Sequence, residues 1–306
     1  MDNVLKKIIL KKKERIQVYK KNNPINQILN NIKNVKNFIN FRNEIKKRDQ
    51  EKKISIIAEI KKASPSAGVF KKEFNHLNIA KLYVENGAPF LSVLTEEDFF
   101  LGKLEYIENI KKNYNVPILC KDFFIDTYQV PLAKSFGADC ILIILSAIEK
   151  ELAIDLYQAA KELNISTLIE VHSSQEAEIA MTFEDSLIGI NNRNLDTLEV
   201  SLNTSVQLGK ILSSHKNPLI CESGIHSAEN VKYILISKYG KGFIVNSNEM
   251  VTTQKKGKLI FKLKSLISIL KYPLDLNELI KTSKLVFCNV AVISFILLPT
   301  FEANVE

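Results

Sequence analysis

The sequence predicts an α/β protein: a closed (β/α)8 TIM barrel with an N-terminal helical extension and a C-terminal tail that does not match the repeat. Two observations carry this. From residue 55 on, short apolar runs rich in β-branched residues alternate with longer stretches of helical apolar spacing. Eight such runs occur, their starts 20 to 34 residues apart, the length of a strand, a helix and two short loops. Continuous apolar strands alternating with helices imply a parallel sheet covered on both faces, and eight units are enough to close a barrel.

The elements follow in order. Residues 1–53 hold 16 Lys/Arg and 5 Asp/Glu, a local net of +11; the remaining 26 Lys/Arg and 29 Asp/Glu sum to −3, so the chain's +8 belongs to its N-terminal segment. Val4, Ile8, Ile9, Ile16 and Val18 give that segment an apolar side, which reads as a lysine-rich helical extension packed on the barrel. Aromatic residues are sparse there, so no base-stacking platform and no nucleic-acid partner are expected. The eight runs are "SIIAEI" (55–60), "PFLSVL" (89–94), "VPILCK" (116–121), "CILIIL" (140–145), "STLIEV" (166–171), "SLIGIN" (186–191), "PLICES" (218–223) and "GFIVNS" (242–247). No GxGxxG follows the first run, which argues against a doubly wound dinucleotide fold. Beyond residue 251 the rhythm breaks. "KGKLIFKLKSLISILKY" fits an eighth barrel helix, and "LVFCNVAVISFILLP" (285–299) is shorter than the roughly 17–25 apolar residues of a spanning helix. It reads as a buried or packed tail. The expected division is therefore 1–53 extension, 54–270 barrel and 271–306 tail.

Cys120, Cys140, Cys221 and Cys288 form no CxxC pair, and the first three sit inside apolar runs. They read as small buried hydrophobes in a reducing compartment. With no signal-peptide apolar region at the N-terminus, a cytoplasmic protein with no membrane partner is expected.

Barrel enzymes work at the C-terminal ends of their strands. Those ends carry Glu59 and Lys61, Lys121, Glu170, Asn191 with Arg193 two residues on, and Glu222 with Ser223. Glu59 and Lys61 are i and i+2 on one strand and so face the same side. Buried charges cost several kcal/mol each unless paired or used, and charged or amide groups converging from five strands suggest use. Carboxylates interleaved with cations would pair with them rather than hold a metal, so no metal is expected. What remains is general acid–base work on an anionic substrate. A desolvated lysine beside another lysine is expected to have a lowered pKa, and a half-buried glutamate a raised one. A phosphate would sit in the loops after the seventh and eighth runs. There Ser223-Gly224 offers backbone N–H groups, and Asn246 and Ser247 offer an amide and a hydroxyl.

"IIAEIKKASPSAG" resembles the signature of the indole-3-glycerol phosphate synthase family. "LSVLTEEDFFLG", "PILCKDFFIDTYQV", "LIEVH", "IGINNRNL" and "ESGI" follow in that family's order and spacing. The resemblance covers about residues 1 to 250. It implies a barrel lyase of tryptophan biosynthesis that closes an indole ring with loss of CO2 and water, without a cofactor, on a phosphorylated small molecule. By the same resemblance Lys121 is the general acid and Glu170 the general base. Lys61 holds the substrate carboxylate, and Glu59, Asn191, Glu222 and Ser223 form the orienting ring. Ser64 and Arg193 lie near the anthranilate carboxylate, and Gly224 in the phosphate loop. Other enzymes of the pathway are the candidate protein partners. Two positions depart from the family pattern. Asn246 stands where a glycine is usual, and Lys103 where a small hydroxyl residue is common. The altered eighth loop motivates one alternative, a catalytically weak or silent barrel kept as an interaction protein.

Overall fold

β1 (Ser55–Ile60) is buried at all six positions, as its unbroken apolar run requires. The computed structural model describes residues 4–35, 37–51, 53, 55–70, 73–195, 197–224 and 290–293. A short antiparallel hairpin, β2 (Ala63–Ser64) and β3 (Gly68–Val69), follows β1. The chain then lays down β4 (Phe90–Leu94), β5 (Ile118–Lys121), β6 (Cys140–Ile144), β7 (Ser166–Val171), β8 (Leu187–Asn191), β9 (Leu219–Glu222) and β10 (Val290–Ile293). All pair in parallel in the closed order β1-β10-β9-β8-β7-β6-β5-β4.

Seven of the apolar runs thus become barrel strands where expected. The eighth differs. The run 242–247 lies outside the described residues, and the strand that joins β9 to β1 is Val290–Ile293, from the segment read as a tail. The physical reason lies in the composition. Val290–Ile293 reads VAVI, wholly apolar and three-quarters β-branched like the other barrel strands, and an open β1–β9 gap would leave two edges of unpaired backbone groups.

Between strands run α4 (His76–Glu85), α5 (Glu105–Asn113), α6 (Gln129–Ser135), α7 (Lys150–Glu162), α8 (Ser174–Ala180) and α9 (Asn203–Ile211). Strand side chains alternate between two cores. Those facing outward, such as Ile169 and Val171, pack under the helices. Those facing inward, such as Ile57, Phe90, Leu119, Leu142, Leu168, Leu187 and Ile220, fill the barrel. No helix among the described residues is long and apolar enough to cross a membrane. Cys120, Cys140 and Cys221 are buried.

The basic N-terminal segment forms α1 (Val4–Asn22), α2 (Ile25–Asn34) and α3 (Phe41–Gln50). α3 closes the bottom of the barrel. The Asn40 side chain caps it by accepting the Asn43 N–H. Phe41 and Ile45, one turn apart, reach the inner core fully buried, with the Phe41 ring 4.8 Å from that of Phe90. Asp139 ties the chain before α3 to the barrel floor, accepting the Ile39 N–H at 2.7 Å, the Ile118 N–H at 2.8 Å and Lys111 Nζ at 2.8 Å. Phe41→Ala is expected to cost about 3–5 kcal/mol, the usual range for emptying a buried aromatic site. Urea unfolding at pH 7 measures it, and a loss under about 1 kcal/mol would mean that α3 does not plug the barrel in solution.

Candidate active site

At the opposite end of the barrel, the inner face turns from apolar to charged. Glu59 on β1, Lys121 on β5, Glu170 on β7, Asn191 on β8 and Glu222 on β9 are the last or next-to-last residues of their strands. All five line a single inward layer because strand alternation puts every second residue inside. Lys121 Nζ lies 2.9 Å from Glu222 Oε2 and 3.4 Å from Glu59 Oε2. The other oxygen of Glu59 takes Lys61 Nζ at 2.5 Å. Glu170 Oε1 accepts Asn191 Nδ2 at 3.1 Å, and Asn191 is itself fixed by accepting the Arg193 N–H at 3.0 Å. Glu170 Oε2 and Glu222 Oε1 are buried without a hydrogen-bond partner among the described residues.

A cavity of about 310 Å³ lies above this layer. Its floor includes Glu59, Lys61, Lys121, Glu170 and Asn191, and its walls carry Ser64, Arg193, Ser223 and Gly224. Glu222 lies beneath, pinning Lys121 from below. Asn246 and Ser247 fall outside the described residues. Ser223 and Gly224 both take left-handed backbone angles, φ 63° and 82°, so the turn after β9 bends sharply at the mouth. A Cβ on Gly224 would come within 2.6 Å of Val200 Cγ1. Lys103 is exposed and is not among the cavity walls.

The sequence reading missed the apolar half of the cavity. Phe70, Phe74, Leu94, Phe100 and Phe123 form one wall, and Val4, Leu5 and Ile8 of α1 close another. A flat aromatic substrate ring would fit between such walls. α1 is held there by a buried ion pair, Lys12 Nζ to Asp122 Oδ1 at 2.7 Å, and by Arg15 on Asp98 at 2.7 and 3.0 Å. Asp122 also accepts Thr95 Oγ1 at 2.7 Å. The signal was the aspartate directly following Lys121, but its partner lies over a hundred residues away in sequence.

The protonation pattern departs from the sequence expectation at two residues. Burial alone would lower the Lys121 pKa, but Glu222, Glu59 and Glu170 outweigh it, and the ammonium is held above its usual value. The expectation of a lowered lysine fails because the neighbours are carboxylates rather than another cation. Burial also works to raise Glu170, yet His172, Lys121 and Asn191 prevail and hold it below the usual range. The raised carboxylate is Glu222, pushed up by burial and by the charge of Glu170 against the pull of Lys121. No cluster of metal-ligating side chains occurs among the described residues.

The family model for indole-3-glycerol phosphate synthase matches residues 5–259. The chain belongs to the indole-3-glycerol phosphate synthase family. Curated relatives agree. The indole-3-glycerol phosphate synthase of Thermoanaerobacter pseudethanolicus is 39 % identical over 231 residues, covering 76 % of this chain and 86 % of that protein. The one of Alkaliphilus metalliredigens is 36 % identical over 262 residues, covering 86 % and 98 %. The tryptophan biosynthesis protein TrpCF of Buchnera aphidicola subsp. Schizaphis graminum is 40 % identical over 253 residues, covering 82 % of this chain and 53 % of that longer protein. The family implies a decarboxylating lyase of tryptophan biosynthesis.

Proposed function

We propose that the chain is a carboxy-lyase converting 1-(2-carboxyphenylamino)-1-deoxyribulose 5-phosphate to indole-3-glycerol phosphate, CO2 and water. The observation that carries this reading is Lys121, held between Glu222 and Glu59 on the floor of a half-apolar cavity and facing the Glu170–Asn191 pair. Lys61 and Arg193 attract the substrate's carboxylate, while Ser223 and Gly224 offer the turn for its phosphate. The aromatic ring lies between the phenylalanine wall and α1.

The ring carbon bearing the carboxylate attacks the ribulose carbonyl, and Lys121 gives a proton to the developing alkoxide. An alkoxide is far more basic than an ammonium, so the raised pKa of Lys121 does not block the transfer; it keeps the acid charged beforehand. CO2 then leaves, and its bonding electrons restore the aromatic ring. In the last step the new hydroxyl departs as water, taking a proton from an ammonium of the site. Glu170, ionised before the reaction, removes the proton from the carbon beside the nitrogen. One proton is consumed overall, as expected when a carboxylate leaves as CO2. No group outside the chain is required, and the protein's main work is to hold the two ends of the substrate in reach of each other.

A cytoplasmic setting and contacts with other tryptophan-pathway enzymes belong to the same proposal. The test is the appearance of indole fluorescence when the purified protein meets the carboxyphenylamino-deoxyribulose phosphate. Steady turnover is expected. Folded protein that makes no fluorescent product would return the silent-barrel reading and direct attention to the substitution at Asn246.

A further inference from the structure

His172 has no part in the chemistry above, yet it is built into the site. It follows β7 directly, two residues after Glu170, and so continues the same inward face. Its side chain is 11 % exposed. Nε2 lies 3.2 Å from Glu170 Oε1, outside hydrogen-bond alignment and buried. Nδ1 lies 3.4 Å from Glu176 Oε2 and 3.3 Å from Ser146 Oγ. Glu176 is not a loose surface group. Ser173 caps α8 by accepting the Glu176 N–H, and Ser173 Oγ donates to Glu176 Oε1 at 3.1 Å in return. Glu176 Oε2 also accepts the His172 backbone N–H at 2.8 Å. The helix cap thereby holds a carboxylate still on the far side of the imidazole.

We propose that His172 is a positioning residue for Glu170: fixed by the Ser173–Glu176 cap, its imidazolium holds the Glu170 carboxylate in place and in its anionic form. This rests on the reading of Glu170 as the base. A cation between two carboxylates is stabilised from both sides, and here burial, which favours the neutral ring, is outweighed by Glu170 and Glu176, pushing His172 up to about 10. The other groups facing Glu170 are Lys121 from β5, which acts in the same direction, Asn191 from β8, and Glu222 from β9, which opposes. Facing His172 itself are the two glutamates and Ser146. Without His172, Glu170 keeps Lys121 and Asn191 but loses its nearest cation, and its pKa moves upward. A base whose pKa rises is lost earlier on the acid side.

The test compares pH profiles of kcat/KM for wild type, His172→Gln and Glu176→Gln. His172→Gln is expected to move the acid limb upward by roughly one unit, with activity recovering as pH rises and KM within about threefold of wild type. Glu176→Gln should move it the same way by less. A fall in rate that is equal at every pH would mean a merely structural role and would overturn the proposal. A second readout does not depend on turnover. The chain has four histidines, so the His172 imidazole resonance can be assigned from its loss in His172→Gln. It should stay protonated beyond pH 8, and titrate lower in Glu170→Gln. Titration at the ordinary histidine value in wild type would overturn the proposal even if the enzyme is active. If wild type shows no turnover, the proposed function fails, while this titration still decides the fate of the His172–Glu170 pair.

Discussion

Lys121→Met is expected to lower kcat by roughly 10²–10⁴-fold, the usual range for removing a positioned proton donor. It is also expected to destabilise the protein more at pH 8 than at pH 5. The second half follows from what Lys121 holds together. It neutralises Glu222 at 2.9 Å and Glu59 at 3.4 Å, both of which are buried. Deleting one partner of a buried ion pair strands the other charge, at a cost of about 3–5 kcal/mol. In the variant, Glu222, whose pKa is already raised in the wild type by burial and by Glu170, loses the cation that opposes the rise. A carboxyl group whose pKa is higher folded than unfolded takes up a proton on folding. It therefore destabilises the fold as pH rises from the unfolded value of about 4.3 through the folded one, and the penalty is fully present above both. At pH 5 the stranded Glu222 carboxyl is protonated and the penalty is small; towards pH 8 more of it must ionise and the penalty grows, while Glu59 keeps Lys61. Turnover and thermal melts at both pH values measure the two effects. A variant with unchanged turnover would remove Lys121 from the reaction. A stability loss independent of pH would mean that Glu222 finds another partner.

The fold and much of the site could be read in the chain because both rest on short-range patterns. A strand buried on two faces must be apolar throughout, so Glu59, Lys121, Glu170, Asn191 and Glu222 stood out as exceptions at the ends of their runs. Alternation then placed Glu59 and Lys61 on one side. What could not be read was set by contacts distant in sequence. The pKa direction of Lys121 depends on which charges meet across strands, here Glu222 from β9; Glu170 meets Asn191 from β8, while its other partner, His172, stood two residues on in the chain and went unread. Sequence spacing gave the groups but not their neighbours. The same limit hid the role of α1. Ile8 and Lys12 looked like ordinary positions on a basic amphipathic helix, yet Ile8 walls the cavity and Lys12 meets Asp122 across its rim. The eighth strand shows a further limit. Pattern pointed to 242–247, which lies outside the described residues, while Val290–Ile293, read as part of a tail, pairs with both β9 and β1.

Gly189→Ala is expected to cost more in activity than in stability. Gly189 sits in the middle of β8 and faces inward, between Leu187 below and Asn191 above. It pairs in register with Glu170 on β7 and with Ile220 on β9, two residues before Glu222 on the same inward face. The Glu222 carboxylate occupies the space over its Cα: a Cβ on Gly189 would lie 2.3 Å from Glu222 Oε1 and 3.2 Å from Leu168 Cδ1. A methyl group and an oxygen cannot both be there. Because the clash is with the end of a side chain rather than with backbone, the fold can yield at small cost, about 1 kcal/mol at the lower end of overpacking. The displaced group is the one that fixes Lys121, and a shift of about 1 Å in a catalytic group costs on the order of 10²-fold in rate. The expected result is therefore a loss of roughly that size in kcat with a native-like melting curve. A double-mutant cycle with Glu222→Gln separates this route from general damage to β8. If the loss acts through Glu222, adding Gly189→Ala to Glu222→Gln does much less than either change alone would suggest, since residues in contact do not add. Full additivity would place the effect elsewhere in the strand and remove the glycine from the account of how Lys121 is held.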